Sequence, residues 1–119
     1  MRTILLLPVF FLSSFIAIAQ NADSTVIKQV DSLIQESRAL TGQQKFDKAL
    51  EVNAIAERIA LENFDQASAA YGSVCFNRGR VLYFKGDYPE AEKWYQESIT
   101  IRSRALGKEH SDYAASLNN

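Results

Sequence analysis

The sequence has one cysteine, one histidine, two prolines and five glycines in 119 residues, with no charge excess beyond 14 acidic against 13 basic side chains. One cysteine excludes an intrachain disulfide, and one cysteine with one histidine cannot build a zinc site. Without a basic excess, the usual electrostatic basis for binding nucleic acid is missing. The glycines fall in neither a GxGxxG nor a GxxxxGK spacing, so they read as punctuation and not as a phosphate cradle. His110 has no partner nucleophile or ligand and reads as a loop or capping residue. Glu90, Glu92 and Glu97 lie on the polar side of a helical pattern, where a solvated face is the ordinary reading. No catalytic, cofactor or metal site is expected, and the chain is read as a non-enzyme.

Apolar residues are concentrated at the start. Arg2 precedes an uncharged run of 16 residues, Ile4 to Ala19, which closes on Ala17-Ile18-Ala19 and is followed by Gln20, Asn21 and Asp23. This is the three-part layout of a secretory signal peptide, with cleavage expected between Ala19 and Gln20. A helix of that length spans about 24 Å against a hydrocarbon core of roughly 30 Å, and Pro8, Ser13 and Ser14 weaken it further as a permanent span. Residues 1–19 are therefore expected to be removed, leaving residues 20–119 exported to a periplasm or the cell exterior with no stable membrane anchor. Cys75 stands in the apolar stretch Val74-Cys75-Phe76 and reads as a buried core residue.

After the leader no strand-like alternation occurs, and apolar residues recur at three- and four-residue steps throughout. Asp23-Ser24-Thr25 offers caps for a first helix carrying Val26, Ile27, Val30, Leu33, Ile34 and Leu40, stopped at Thr41-Gly42. A second stripe holds Phe46, Ala49, Leu50, Ala56, Ile59 and Ala60 and fades at Glu62-Asn63. A third holds Ala67, Tyr71, Val74, Cys75, Leu82 and Tyr83 and ends at Lys85-Gly86. The fourth opens at Asp87-Tyr88-Pro89-Glu90, which has the form of a capping box. It carries Ala91, Trp94, Tyr95, Ile99 and Ile101, then Arg102, Arg104 and Gly107. A fifth is expected from Ser111-Asp112. Short connections make neighbouring helices antiparallel, so the fold class is all-α.

A shift of 42 residues aligns Phe46 with Tyr88, Ala49 with Ala91, Ile59 with Ile101, and Leu33 with both Cys75 and Leu117. A helical pair repeating at fixed period marks a solenoid. Tyr71 to Leu106 resembles a tetratricopeptide repeat, through Gly79 at the helix crossing, Leu82-Tyr83, Gly86-Asp87-Tyr88 at the turn, and Ala91, Tyr95 and Ile99. The 42-residue period and the stretch from Leu106 to Asn119 look like the longer, kinesin-light-chain-like subfamily. The resemblance implies an α-solenoid of about two and a half repeats: a degenerate first unit at 24–65, a second at 66–107 and a partial third at 108–119. In the first unit Ser37 and Gln44 stand where the second has Gly79 and Gly86. Glu36 and Arg78 are also one period apart and are expected to face each other as an ion pair.

The resemblance further implies that the first helix of each pair lines a concave groove for an extended peptide or partner helix. Carried over by position, that face presents Gln35 and Arg38, then Asn77, Arg80 and Tyr83, then Asn118 and Asn119. Amides can bond a peptide backbone and arginine can hold a carboxylate through two parallel bonds. The implied partner is a protein or an acidic or C-terminal peptide segment. Similar arrays also form the input end of regulators that continue into a histidine kinase or a caspase-like peptidase, and a gene fragment without separate function is a third reading. Stacked arrays need about three repeats to stand alone, so self-association through the fifth helix is also expected.

Overall fold

The computed structural model describes residues 7–106, with side chains from 22 to 105. Four helices make up the fold: α1 (Leu7–Gly42), α2 (Phe46–Asn63), α3 (Ala69–Lys85) and α4 (Tyr88–Leu106). No strand occurs among the described residues. α1 pairs with α2, α3 pairs with α4, and α3 lies against both helices of the first pair. This is an all-α, tetratricopeptide-like stack of helical hairpins. The expected fifth helix and partial third unit lie outside the described residues. Among those described, no helix is long and apolar enough to cross a membrane.

One boundary differs from the sequence reading. The first helix does not start at Asp23-Ser24-Thr25; α1 is continuous from Leu7, and these three residues are exposed turns within it. No glycine interrupts residues 7–41, and the only proline is Pro8 in the first turn, where a missing N–H breaks no helical bond. Asp, Ser and Thr inside a helix each cost only a few tenths of a kcal/mol, too little to stop propagation between two strongly helical stretches.

The two hairpin turns are built alike, one period apart. In α3–α4, Asp87 N–H donates to the Leu82 carbonyl at 2.9 Å and Gly86 N–H to the Tyr83 carbonyl at 3.0 Å, with Gly86 left-handed at φ 95°. In α1–α2, Lys45 N–H donates to Leu40 at 2.9 Å and Gln44 N–H to Thr41 at 3.0 Å, with Gln44 at φ 60°. Both are Schellman turns, but the first places a side chain where glycine is the unstrained choice. Gln44→Gly is therefore expected to stabilise the chain by about 1 kcal/mol, read as a raised urea midpoint at unchanged slope.

The remaining ends are locally satisfied. The Ser68 hydroxyl accepts the Tyr71 N–H at 3.1 Å and caps α3, while Asp65 accepts the Ala67 N–H at 2.9 Å in the preceding turn. The capping box expected at α4 is only half formed. Asp87 accepts the Glu90 N–H at 3.4 Å, but the Glu90 carboxylate takes Lys93 at 2.8 Å instead of reaching back. The Asp87 N–H is already committed to the Schellman turn, which leaves Glu90 no donor there.

The core follows the hairpins. Val30, Ile34, Ala56 and Ala60 form one buried cluster, closed by Val74 from α3 and flanked by Val26, Leu33, Ile59 and Ala70. Tyr71, Cys75 and Ile101 form the second, with Trp94 against it. Cys75 is buried as the sequence indicates, and burial pushes its thiol up to about 12 against a smaller opposing effect of the Tyr71 hydrogen bond. Burial also raises Tyr71. The native chain is expected to leave Cys75 unmodified by a thiol reagent that labels it fully in denaturant. The sign of the pH effect follows. The unfolded thiol ionises from about 8.5 upward while the folded one stays protonated, so this contribution is intact below that pH and is lost as pH rises toward the folded value.

Candidate interaction surface

The two helix crossings solve one steric problem in two ways. At Gly79 an added Cβ would lie 2.9 Å from the Tyr95 ring, so only glycine lets that ring lie across α3. One period earlier the pair is Ser37 and Asn53, both fully buried. The Ser37 hydroxyl donates to the Ala49 carbonyl at 2.8 Å, and Asn77 Nδ2 donates to Ser37 Oγ at 2.8 Å and to Asn53 Oδ1 at 2.9 Å. Three helices thus meet at one buried polar node.

This corrects the expected groove. Asn77 is 1% exposed and points into the stack, so it is not available to a partner. Gln35, its counterpart, is exposed on α1. The reason lies in which face the register selects. Ala70, Val74, Asn77, Arg78 and Val81 are the side of α3 turned to the first hairpin, and all are buried or half-buried. The equivalent α1 positions are Lys28, Ser32, Gln35, Glu36 and Ala39, every one exposed. The Gln35/Asn77 series therefore belongs to the stacking face. A polar face on the first unit is what keeps an end of a stack in water.

The expected Glu36–Arg78 pair does not form, for the same reason. Arg78 Nη1 meets Glu57 Oε2 of α2 at 3.0 Å, and its guanidinium lies 4.5 Å from the Trp94 ring. A residue on the stacking face of α3 meets the second helix of the preceding hairpin, whereas Glu36 faces solvent. Lys85 and Asp47 form a second, more exposed pair between the hairpins at 3.2 Å.

The other predicted residues fall elsewhere. Arg38 and Arg80 are half-buried and Tyr83 is 50% exposed. Asn118 and Asn119 lie outside the described residues. Ala19 and Gln20 fall within α1, and their side chains lie outside the described set. Around Arg80 the structure assembles a patch that the sequence reading missed in part. Tyr83 packs on Phe84 at 5.5 Å and on Tyr88 at 5.3 Å between ring centroids, and the Arg80 guanidinium lies 5.4 Å from the Phe84 ring. Phe84 and Tyr88 are 54% and 60% exposed, so three adjoining aromatic rings face solvent. Arg80 Nε is buried without a hydrogen-bond partner. Beside the patch, Tyr95 packs on Phe76 at 5.4 Å, with Arg102 4.7 Å from the Phe76 ring. The available signal was Phe84, a large apolar residue immediately after Leu82-Tyr83 and off the three-and-four stripe.

Chemically this surface offers cations, π faces and a phenol. It carries no nucleophile–base pair, and among the described residues no cluster of His, Cys, Asp and Glu could hold a metal. Stacked helical hairpins with an exposed aromatic and cationic face are what the described residues show. The second hairpin carries the family signal: residues 65–119 match the family model described as a tetratricopeptide repeat. Repeats of that family are a non-catalytic scaffold type and generally mediate protein–protein interaction. No curated protein and no solved structure matches the chain.

Proposed function

We propose that this chain is an exported tetratricopeptide scaffold of the longer, kinesin-light-chain-like kind, which holds a protein or peptide partner and performs no chemistry of its own. The observation that carries the reading is the solvent-facing group of Tyr83, Phe84 and Tyr88 beside Arg80. Adjoining exposed rings are costly on a free surface, and aromatic residues with arginine are the types that dominate binding energy at interfaces. Arg38, one period from Arg80, extends the cationic side along the first hairpin, and the fitting partner is an acidic segment with apolar side chains. Recurrence of the same Schellman turn after 42 residues supports the subfamily. Export with removal of residues 1–19 rests on Arg2, the apolar run from Ile4 and the closing Ala17-Ile18-Ala19.

Arg80→Ala with Tyr83→Ala is expected to cut capture of a partner from an exported fraction by tenfold or more while leaving the unfolding free energy within about 0.5 kcal/mol of the parent. Capture unchanged by both substitutions would overturn the assignment of this face.

A further inference from the structure

We propose that Gln20 becomes the amino terminus of the exported chain and closes on itself as a pyroglutamyl lactam. The inference rests on the export reading above and adds a modification to it. The residue after Ala17-Ile18-Ala19 is glutamine, and a glutamine amide carbon lies one five-membered ring away from its own α-amino nitrogen. The unprotonated α-amino nitrogen attacks Cδ, so an N–Cδ bond forms and the Cδ–Nε2 bond breaks. The displaced amide nitrogen takes a proton from the attacking nitrogen and leaves as ammonia. No oxidant, metal or second substrate is consumed.

The fold favours the closed form. α1 is helical through residue 20, so cleavage there leaves the new terminus at the start of a helix. A free α-amino group has a pKa near 7.7–8.0 and is largely cationic at neutral pH, where it opposes the positive end of the helix dipole. The lactam carries no charge. The first described side chains after the cleavage point, Ala22, Asp23, Ser24 and Thr25, are all exposed. A chain ending in a lactam gives aminopeptidases no free amine to engage, which protects the exposed start of α1 from trimming.

The test expresses the full chain with its leader in a secreting bacterium and labels free amines by reductive methylation before digestion. Cleavage at arginine then releases an amino-terminal peptide ending at Arg38. The expected peptide begins at residue 20, is lighter than the encoded one by a single ammonia, and carries no label on its first residue. A labelled Gln20 overturns the lactam and leaves the export reading standing. A chain that retains residues from 1–19, or starts at any other residue, overturns the cleavage reading and the lactam with it. Gln20→Ala is expected to be cut at the same bond and to label fully. An unlabelled alanine terminus would mean that the block is some other modification, and the proposal would fail.

Discussion

Asn77→Ala is expected to destabilise the chain by about 2–4 kcal/mol, far more than any change at its counterpart Gln35. Asn77 holds α3 to both helices of the first hairpin, bonding Ser37 at 2.8 Å and Asn53 at 2.9 Å in a site closed to water. Truncation leaves Asn53 Oδ1 without its donor, at about 1–3 kcal/mol, and opens a cavity on top of that. Gln35→Ala removes a solvated amide and is expected to stay within about 0.5 kcal/mol of the parent. The node is not ideal even when intact, because Asn53 Nδ2 and Asn77 Oδ1 have no partner. Replacing Asn53 and Asn77 together by leucine is therefore expected to cost less than the two single changes summed, because no polar atom of either amide is then left orphaned. Urea denaturation of Asn77→Ala, Gln35→Ala, Asn53→Leu, Asn77→Leu and the double leucine variant checks this.

The second large effect is expected at Gly79. Gly79→Ser puts a side chain within 2.9 Å of the Tyr95 ring, which is held in turn by Phe76, so relief requires moving a packed pair. Overpacking of this kind costs roughly 1–3 kcal/mol, and the helix propensity recovered by losing a glycine offsets less than 1 of that. The first hairpin shows what relieves the clash. There the residue at the crossing is Ser37, the residue opposite is Asn53, and the serine hydroxyl finds the Ala49 carbonyl. Gly79→Ser in a Tyr95→Asn background is expected to lose most of its cost, because the space opens and the Ala91 carbonyl stands where Ala49 stands one period earlier. A double-mutant cycle should give a coupling energy above about 1 kcal/mol. Simple additivity would mean that the two crossings are not built on a common plan.

These two sites also show what the sequence could and could not display. The helix stops at Gly42, Asn63 and Lys85 and the burial of Cys75 were legible because each depends on local chemistry. Gly42 and Gly86 stop helices, and apolar stripes recur at helical spacing. The face that a recurring polar residue serves was not legible. Gln35 and Asn77 occupy equivalent places, yet one is solvated and the other buried, because only α3 has a hairpin packed against that side. Glu36 and Arg78 do not pair for the same reason: Arg78 looks across to Glu57, not along the row of first helices. Continuity of α1 through Asp23-Ser24-Thr25 escaped because capping residues mark a start only where the preceding segment does not itself favour helix. Phe84 and Tyr88 were passed over because a pattern search rewards residues on the stripe, whereas an interaction surface is made from apolar residues off it.

The stack depends most directly on α3 docking through a buried amide. Hydrogen exchange of the side-chain amide groups, followed by NMR, tests it. Slow exchange for Asn77, with Gln35 exchanging at the rate of a free side chain, is the result expected. Fast exchange at both would place Asn77 in water and contradict the stacked arrangement on which the interaction surface depends.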